Sequence, residues 1–289
     1  LDIGVNTWVW VSPLTDDRLT ELVPKVAAMG FDVIELPFQE PGSWDPARAA
    51  ELLAAHGLGV TVCAGLRPHH DLLTDDPATR DRTEQFLRAA VDAAATVGSR
   101  VVAGPLYSPA GRKWLMDAAS RRRAVARLGE ALRPVADYAA ERGVTVALEP
   151  LNRFETSLLN TVEQTLEVVD AVGSPGCAVA LDTFHMNIEE RDPAAALRAA
   201  GDRLAHVQVC ANDRGAPGAD HLDWPALRDA LVDVGYRGPL VIESFTAEGL
   251  ETVMSVWRPL ADSRDALAEQ GLAFLRGLLA GGPPPPPRP

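Results

Sequence analysis

Glu141-Arg142-Gly143-Val144-Thr145-Val146-Ala147-Leu148-Glu149 carries the plan of the whole chain in one junction. A helical pattern stops at a glycine, a β-branched run follows, and the run ends on a carboxylate. Glycine closes a helix readily because it enters the left-handed conformation without a Cβ penalty. The same junction recurs after Gly30, Gly57, Gly98, Gly173, Gly201 and Gly235. With an opening run at 2–7, these junctions predict eight strands, at 2–7, 32–36, 58–64, 100–104, 144–149, 177–182, 204–210 and 239–243.

Segments rich in Ala, Leu, Arg and Glu lie between the strands. Three of them begin with an N-cap acid before a proline at the first helical position: Asp45-Pro46, Asp76-Pro77 and Asp192-Pro193. Asn160 followed by Glu163 reads as a capping box. Strict alternation of strand and helix implies parallel strands with right-handed crossovers, and eight units favour closure. The expected fold is α/β, a single (β/α)8 TIM barrel over residues 1–280. Residues 281–289 form a proline-rich tail, expected to be extended and disordered.

Residues two apart in a strand share a face. Below Glu149 lie Ala147 and Thr145, and below Asp182 lie Ala180 and Ala178, whereas Val144, Val146, Leu148, Val179 and Leu181 point the other way. The bulky side chains are therefore expected to face the helices. Small and polar ones face the axis and leave room for a polar centre.

The 289 residues are 47% hydrophobic, ample for one large core, and the formal net charge is −13. That charge argues against nucleic acid or an anionic membrane as partner, since both are bound through Lys and Arg. Cys63, Cys177 and Cys210 have neither zinc-site spacing nor disulfide density. With no apolar run of membrane-spanning length, a reduced, cytoplasmic chain is expected.

Active sites of such barrels sit at the C-terminal strand ends. Glu149, Asp182, Gln208 and Glu243 occupy that position on strands five to eight. Carboxylates brought together repel one another, and a divalent cation resolves the repulsion. All-oxygen donors favour Mn²⁺ or Mg²⁺ over zinc. A cation there can act as a Lewis acid on an α-hydroxycarbonyl substrate; one carboxylate removes a carbon-bound proton to give a cis-enediolate and another returns it. Return to the opposite face is epimerisation, whereas return to the carbonyl carbon is aldose–ketose isomerisation.

Two segments, Leu148-Glu149-Pro150-Leu151-Asn152-Arg153-Phe154-Glu155 and 181–190 (Leu-Asp-Thr-Phe-His-Met-Asn-Ile-Glu-Glu), resemble the signature stretches of the ketose 3-epimerases, the D-tagatose and D-psicose 3-epimerase group of xylose-isomerase-like barrels. Asn212-Asp213-Arg214-Gly215-Ala216-Pro217-Gly218 and Val256-Trp257-Arg258 also fit, and the resemblance is thinnest before Gly98. It implies Mn²⁺, with Mg²⁺ or Co²⁺ as the other candidates, held by Glu149, Asp182, the strand-seven residue and Glu243. It further implies an acid/base pair of Glu149 and Glu243, contacts from His185 and Arg214 to the reacting oxygens, Glu155 at a terminal hydroxyl or in the neighbouring network, and a homodimer or homotetramer. Where the resemblance expects a metal-binding His, this chain has Gln208, as hydroxypyruvate isomerases do; an amide oxygen is the harder ligand. His206 shares its face one layer deeper and is expected to support the site.

Phe245, Trp114, Trp8 and Trp10 are candidates for an apolar wall against a sugar, with Phe245 the first choice, and Cys63 for an inward position near the site. Glu35 has an inward-compatible position from which it orients another side chain or touches substrate. After strand eight, Ser244-Phe245-Thr246-Ala247-Glu248 offers neither a Gly-rich cradle nor a basic residue, which favours a free sugar over a sugar phosphate. The leading reading is a metal-dependent ketose 3-epimerase. A hydroxypyruvate- or aldose–ketose-type isomerase, or a keto-sugar lyase or dehydratase, are the alternatives on the same residues.

Overall fold

The computed structural model describes residues 1–250 and 254–281. Eight parallel strands close into a barrel in chain order: β1 (Ile3–Asn6), β2 (Val33–Phe38), β3 (Gly59–Ala64), β4 (Val101–Gly104), β5 (Thr145–Leu148), β6 (Cys177–Asp182), β7 (Leu204–Val209) and β8 (Leu240–Ile242). β1 pairs with both β2 and β8, which closes the ring. The helices are α1 (Asp16–Met29), α2 (Pro46–His56), α3 (Pro77–Val97), α4 (Ala118–Glu141), α5 (Val162–Val172), α6 (Thr183–Glu189), α7 (Pro193–Ala200), α8 (Trp224–Asp233) and α9 (Arg264–Leu279). Most of the proline tail, 282–289, lies outside the described residues. Among the described residues no helix is long and apolar enough to cross a membrane.

All seven junction glycines have positive φ, from 58° at Gly201 to 91° at Gly98. Asp45, Asp76 and Asp192 cap their helices as expected. The cap of α5 differs by one residue. Thr161, not Asn160, accepts from the Gln164 amide, and the Gln164 side chain takes the Asn160 N–H at 2.8 Å. β2 runs on to Phe38 through Pro37, past its predicted end. Its pairing with β1 stops at Glu35, and an edge without a ladder tolerates a residue that has no N–H.

Two apolar layers result. Val144, Val146, Leu148, Val179 and Leu181 belong to the large core between strands and helices. Inside the barrel, Val101, Ala103, Ala147 and Ala180 form a separate small cluster. Small residues in the lower barrel leave the upper interior to Asn6, Glu35, Thr61, Cys63, His206 and Gln208, all buried. A register shift sets the height of the last two: Val179 pairs with Leu204 but Ala180 with His206, so Ala205 is an extra residue. Asp182 and Gln208 are consequently partners at the same level.

Gly176, entering β6, lets α4 approach closely. A Cβ there would collide with the Ala136 carbonyl, which is backbone and cannot swing aside. Gly176→Ala is expected to lower stability by about 1–3 kcal/mol, the usual cost of overpacking, read as an earlier urea midpoint with an unchanged slope.

Candidate active site

Strand endings deliver four oxygen-bearing side chains to one buried volume. Glu149 follows β5, its N–H bonded to the Gly104 carbonyl at 3.0 Å, and Glu243 follows β8, bonded to Val209 at 3.1 Å. Asp182 ends β6 and caps α6 through the Phe184 N–H at 2.9 Å. Gln208 lies on β7. None of the four is more than 5% exposed.

Arg214 is the cation of this volume. It takes a left-handed conformation at φ 71°, and its own carbonyl accepts from Ser244 Oγ at 2.6 Å. Its Nη1 donates to Asp182 and, at 3.1 Å, to Glu243. The guanidinium lies 4.0 Å from the Phe184 ring centre and 4.9 Å from that of Phe245. Burial works against the carboxylate of Asp182, but the charge of Arg214, together with the hydrogen bonds from Arg214 and the Phe184 N–H, holds this acid below its ordinary range. Glu149 and Glu243 go the other way. Burial first, with the neighbouring Asp182 adding to it against the pull of Arg214, pushes both well above the usual carboxylate value.

His185 is fixed in one tautomer. Its Nδ1 accepts from the Asn152 backbone N–H at 3.0 Å, so the proton of the neutral ring belongs on Nε2. Burial, then the charge of Arg214, lowers its pKa to about 3, which keeps it neutral at pH 7. Nε2 stands 3.5 Å from Glu149 Oε1 and 3.8 Å from Asp182 Oδ2, and Arg214 Nη2 lies 3.1 Å from it. Nε2 thus sits between the Arg214 guanidinium and the carboxylates of Glu149 and Asp182.

The donor set fits a divalent cation. Ligand atoms of Glu149, Asp182 and His185 lie within 4.8 Å of one another. Glu243 turns to Gln208 and Arg214 instead. Gln208 Oε1 is buried without a hydrogen-bond partner, an oxygen short of a counterpart beside an excess of negative charge.

The other sequence candidates separate. Phe245 is buried against Arg214 and against Trp8, ring centres 5.3 Å apart. Trp10 turns away, its indole donating to Asp265 of α9 at 2.6 Å. Trp114 is only partly buried and is tied to Ser157 on the β5–α5 loop by two 2.9 Å bonds. Glu155, on the same loop, accepts from Asn152 Nδ2 at 2.8 Å and so reaches the network behind His185. Cys63 accepts from Asn6 Nδ2 at 3.2 Å, below the carboxylates. Residues missed by sequence reasoning are Asn152 and Phe184, which sit inside the two signature segments, and Asn6 and Thr61, which carry no sequence signal of their own.

All three cysteines are buried. Burial raises the Cys63 and Cys210 thiols well above the ordinary value and Cys177 to about 12. The folded protein is expected to show no reaction with a thiol-specific reagent at neutral pH, and three equivalents after unfolding.

The family model described as xylose isomerase-like TIM barrel matches residues 23–278. A ketose 3-epimerase from Arthrobacter globiformis is 34% identical over 283 residues, covering 96% of this chain and 97% of the relative. The solved structure of an L-ribulose 3-epimerase superposes with a TM-score of 0.90 at 34% identity, covering 97% of this chain and 95% of that one. A D-allulose 3-epimerase from Methylomonas sp., solved in complex with D-allulose, gives 0.88 at 33% identity and 96% coverage of each chain.

Proposed function

The chain belongs to the xylose isomerase-like TIM barrels, among their ketose 3-epimerases, and on that footing we propose that it inverts C3 of a free ketose by two-carboxylate acid/base chemistry at a divalent-metal site. The observation that carries this reading is the pair Glu149 and Glu243. Both are buried and follow β5 and β8 into one volume, where His185 Nε2 stands 3.5 Å from Glu149 and Arg214 donates to Glu243 at 3.1 Å.

A divalent cation bound by Glu149, Asp182, Gln208 and Glu243, Mn²⁺ first with Mg²⁺ and Co²⁺ next, supplies Lewis acidity toward the carbonyl and adjacent hydroxyl of the sugar. One carboxylate of the pair removes the C3 proton, leaving a cis-enediolate, and the other delivers a proton to the opposite face. His185 Nε2–H and Arg214 donate to an oxygen on which charge develops in that step. Phe245, Trp8 and Phe184 exclude water around it.

The relatives act on L-ribulose and D-allulose, which supports a ketopentose or ketohexose as substrate. The lack of a basic residue between Glu243 and Glu248 supports a free sugar. An aldose–ketose isomerase would use the same carboxylates with proton return to the carbonyl carbon; the relatives favour C3.

Dialysis against a chelator and assay on a ketose panel test this directly. The stripped protein is expected to form no C3 epimer, and Mn²⁺ to restore it. Full activity after verified metal removal, or no epimer from any ketose with metal restored, contradicts the reading.

A further inference from the structure

We propose that Glu35 is a positioning residue: with Glu243 it takes up both N–H bonds of the Gln208 amide, so that Gln208 presents its oxygen, in fixed orientation, as a neutral ligand to a divalent cation. This rests on the metal-site reading above.

Gln208 Nε2 lies 2.8 Å from Glu35 Oε1 and 2.8 Å from Glu243 Oε1. An NH₂ group has a proton for each of these oxygens, whereas the flipped amide would set its oxygen against Glu35, whose own oxygens already accept from Asn6 and Thr61. The chemistry of the neighbours therefore decides which end is which. The opposite end, Oε1, is buried without a donor, in a side chain only 1% exposed. A buried carbonyl oxygen left unpaired needs a reason, and a cation beside Asp182, at the same level of the sheet, supplies one.

Glu35 is built to hold rather than to react. It is fully buried on β2, across the barrel from β7. Oε1 takes Asn6 Nδ2 at 2.9 Å as well as Gln208, while Oε2 takes Thr61 Oγ1 at 3.0 Å and stands 2.7 Å from His206 Nε2. Both oxygens are thus engaged. An imidazole in place of Gln208 could not do the same work: with one nitrogen on a metal it keeps a single N–H, whereas the amide has two for two carboxylates. Glu35 and Gln208 make sense as a pair.

The test is a thermodynamic cycle on Mn²⁺ binding by calorimetry, using the metal-stripped full chain as wild type, Glu35→Gln, Gln208→Ala and the double variant. Gln at position 35 has nearly the same shape but can turn its own NH₂ toward Gln208 and unlock it. Glu35→Gln is expected to weaken Mn²⁺ binding about ten-fold, as loss of a residue that orients a ligand does. In the Gln208→Ala background the same change should have no further effect. Wild-type affinity in Glu35→Gln, or an equal loss in both backgrounds, overturns the positioning role. If thermal unfolding shows that Glu35→Gln does not fold, Thr61→Val replaces it, with a several-fold loss expected only when Gln208 is present and a background-independent loss overturning the proposal. A wild-type chain that binds no Mn²⁺ overturns the metal reading itself, an outcome distinct from tight wild-type binding that Glu35→Gln leaves unchanged.

Discussion

Glu149→Gln should lower the rate of C3 epimerisation by about three orders of magnitude or more, and Glu243→Gln by a similar factor, because each removes a proton carrier worth roughly 10²–10⁴ in rate. The amide keeps the volume of each buried side chain, so stability should change little beside the loss of activity. The two variants should differ in one respect. With one carboxylate gone, the other still faces the C3 proton of the epimer it serves. Glu149→Gln should retain slow exchange of C3 hydrogen with solvent for one epimer without inversion, and Glu243→Gln for the other. Metal content measured on both variants separates loss of the proton carrier from loss of the ligand. Near-normal epimerisation in either variant removes that residue from the mechanism.

The second large effect concerns Arg214. Its guanidinium bonds Asp182 and Glu243, and all three groups are buried. Arg214→Met leaves those carboxylates without their cation, and breaking a buried pair from one side costs about 3–5 kcal/mol. The metal-free variant should therefore unfold markedly earlier than metal-free wild type. Added Mn²⁺ should recover more stability in the variant than in the wild type, since the site is now more negative and the cation no longer meets a guanidinium on the same oxygens. Activity should stay low, because the fixed cation proposed to face the reacting oxygens is gone. Equal stability of the two metal-free proteins, or equal gains on adding Mn²⁺, would contradict this electrostatic account.

The barrel was legible because its signals are local. A glycine that must take positive φ and a β-branched run behind it lie within a few residues, and every predicted junction, from Gly30 to Gly235, carries that conformation. Face alternation also carried through: Ala147 and Ala180 do line the interior, under Glu149 and Asp182. The cap of α5 was misread because Asn160-x-x-Glu163 and Thr161-x-x-Gln164 overlap by one residue, and only the fold decides which threads the first turn. Proline inside β2 was unreadable for a related reason, as its tolerance depends on where the β1 ladder stops.

The site was legible as acids at strand ends, but not as a network. Glu35 and Gln208 are 173 residues apart and meet only because the barrel closes and Ala205 shifts the register of β7. His185 was readable as a candidate, whereas its tautomer was not, since it depends on the backbone of Asn152 in another loop. The Trp10 indole bonds Asp265 of α9 and the Trp114 backbone bonds Ser157 of the β5–α5 loop, and neither contact is readable from position along the chain.

Glu149 and Glu243 are expected to exchange the hydrogen on C3 of a ketose. Incubating the Mn²⁺-loaded chain with D-allulose or L-ribulose in deuterated water and locating the label by NMR measures this directly. Deuterium at C3 of both the substrate and its C3 epimer, absent after metal removal and in Glu149→Gln with Glu243→Gln combined, is the predicted result. Deuterium at C1 with none at C3 would contradict it and assign the same carboxylates to aldose–ketose isomerisation.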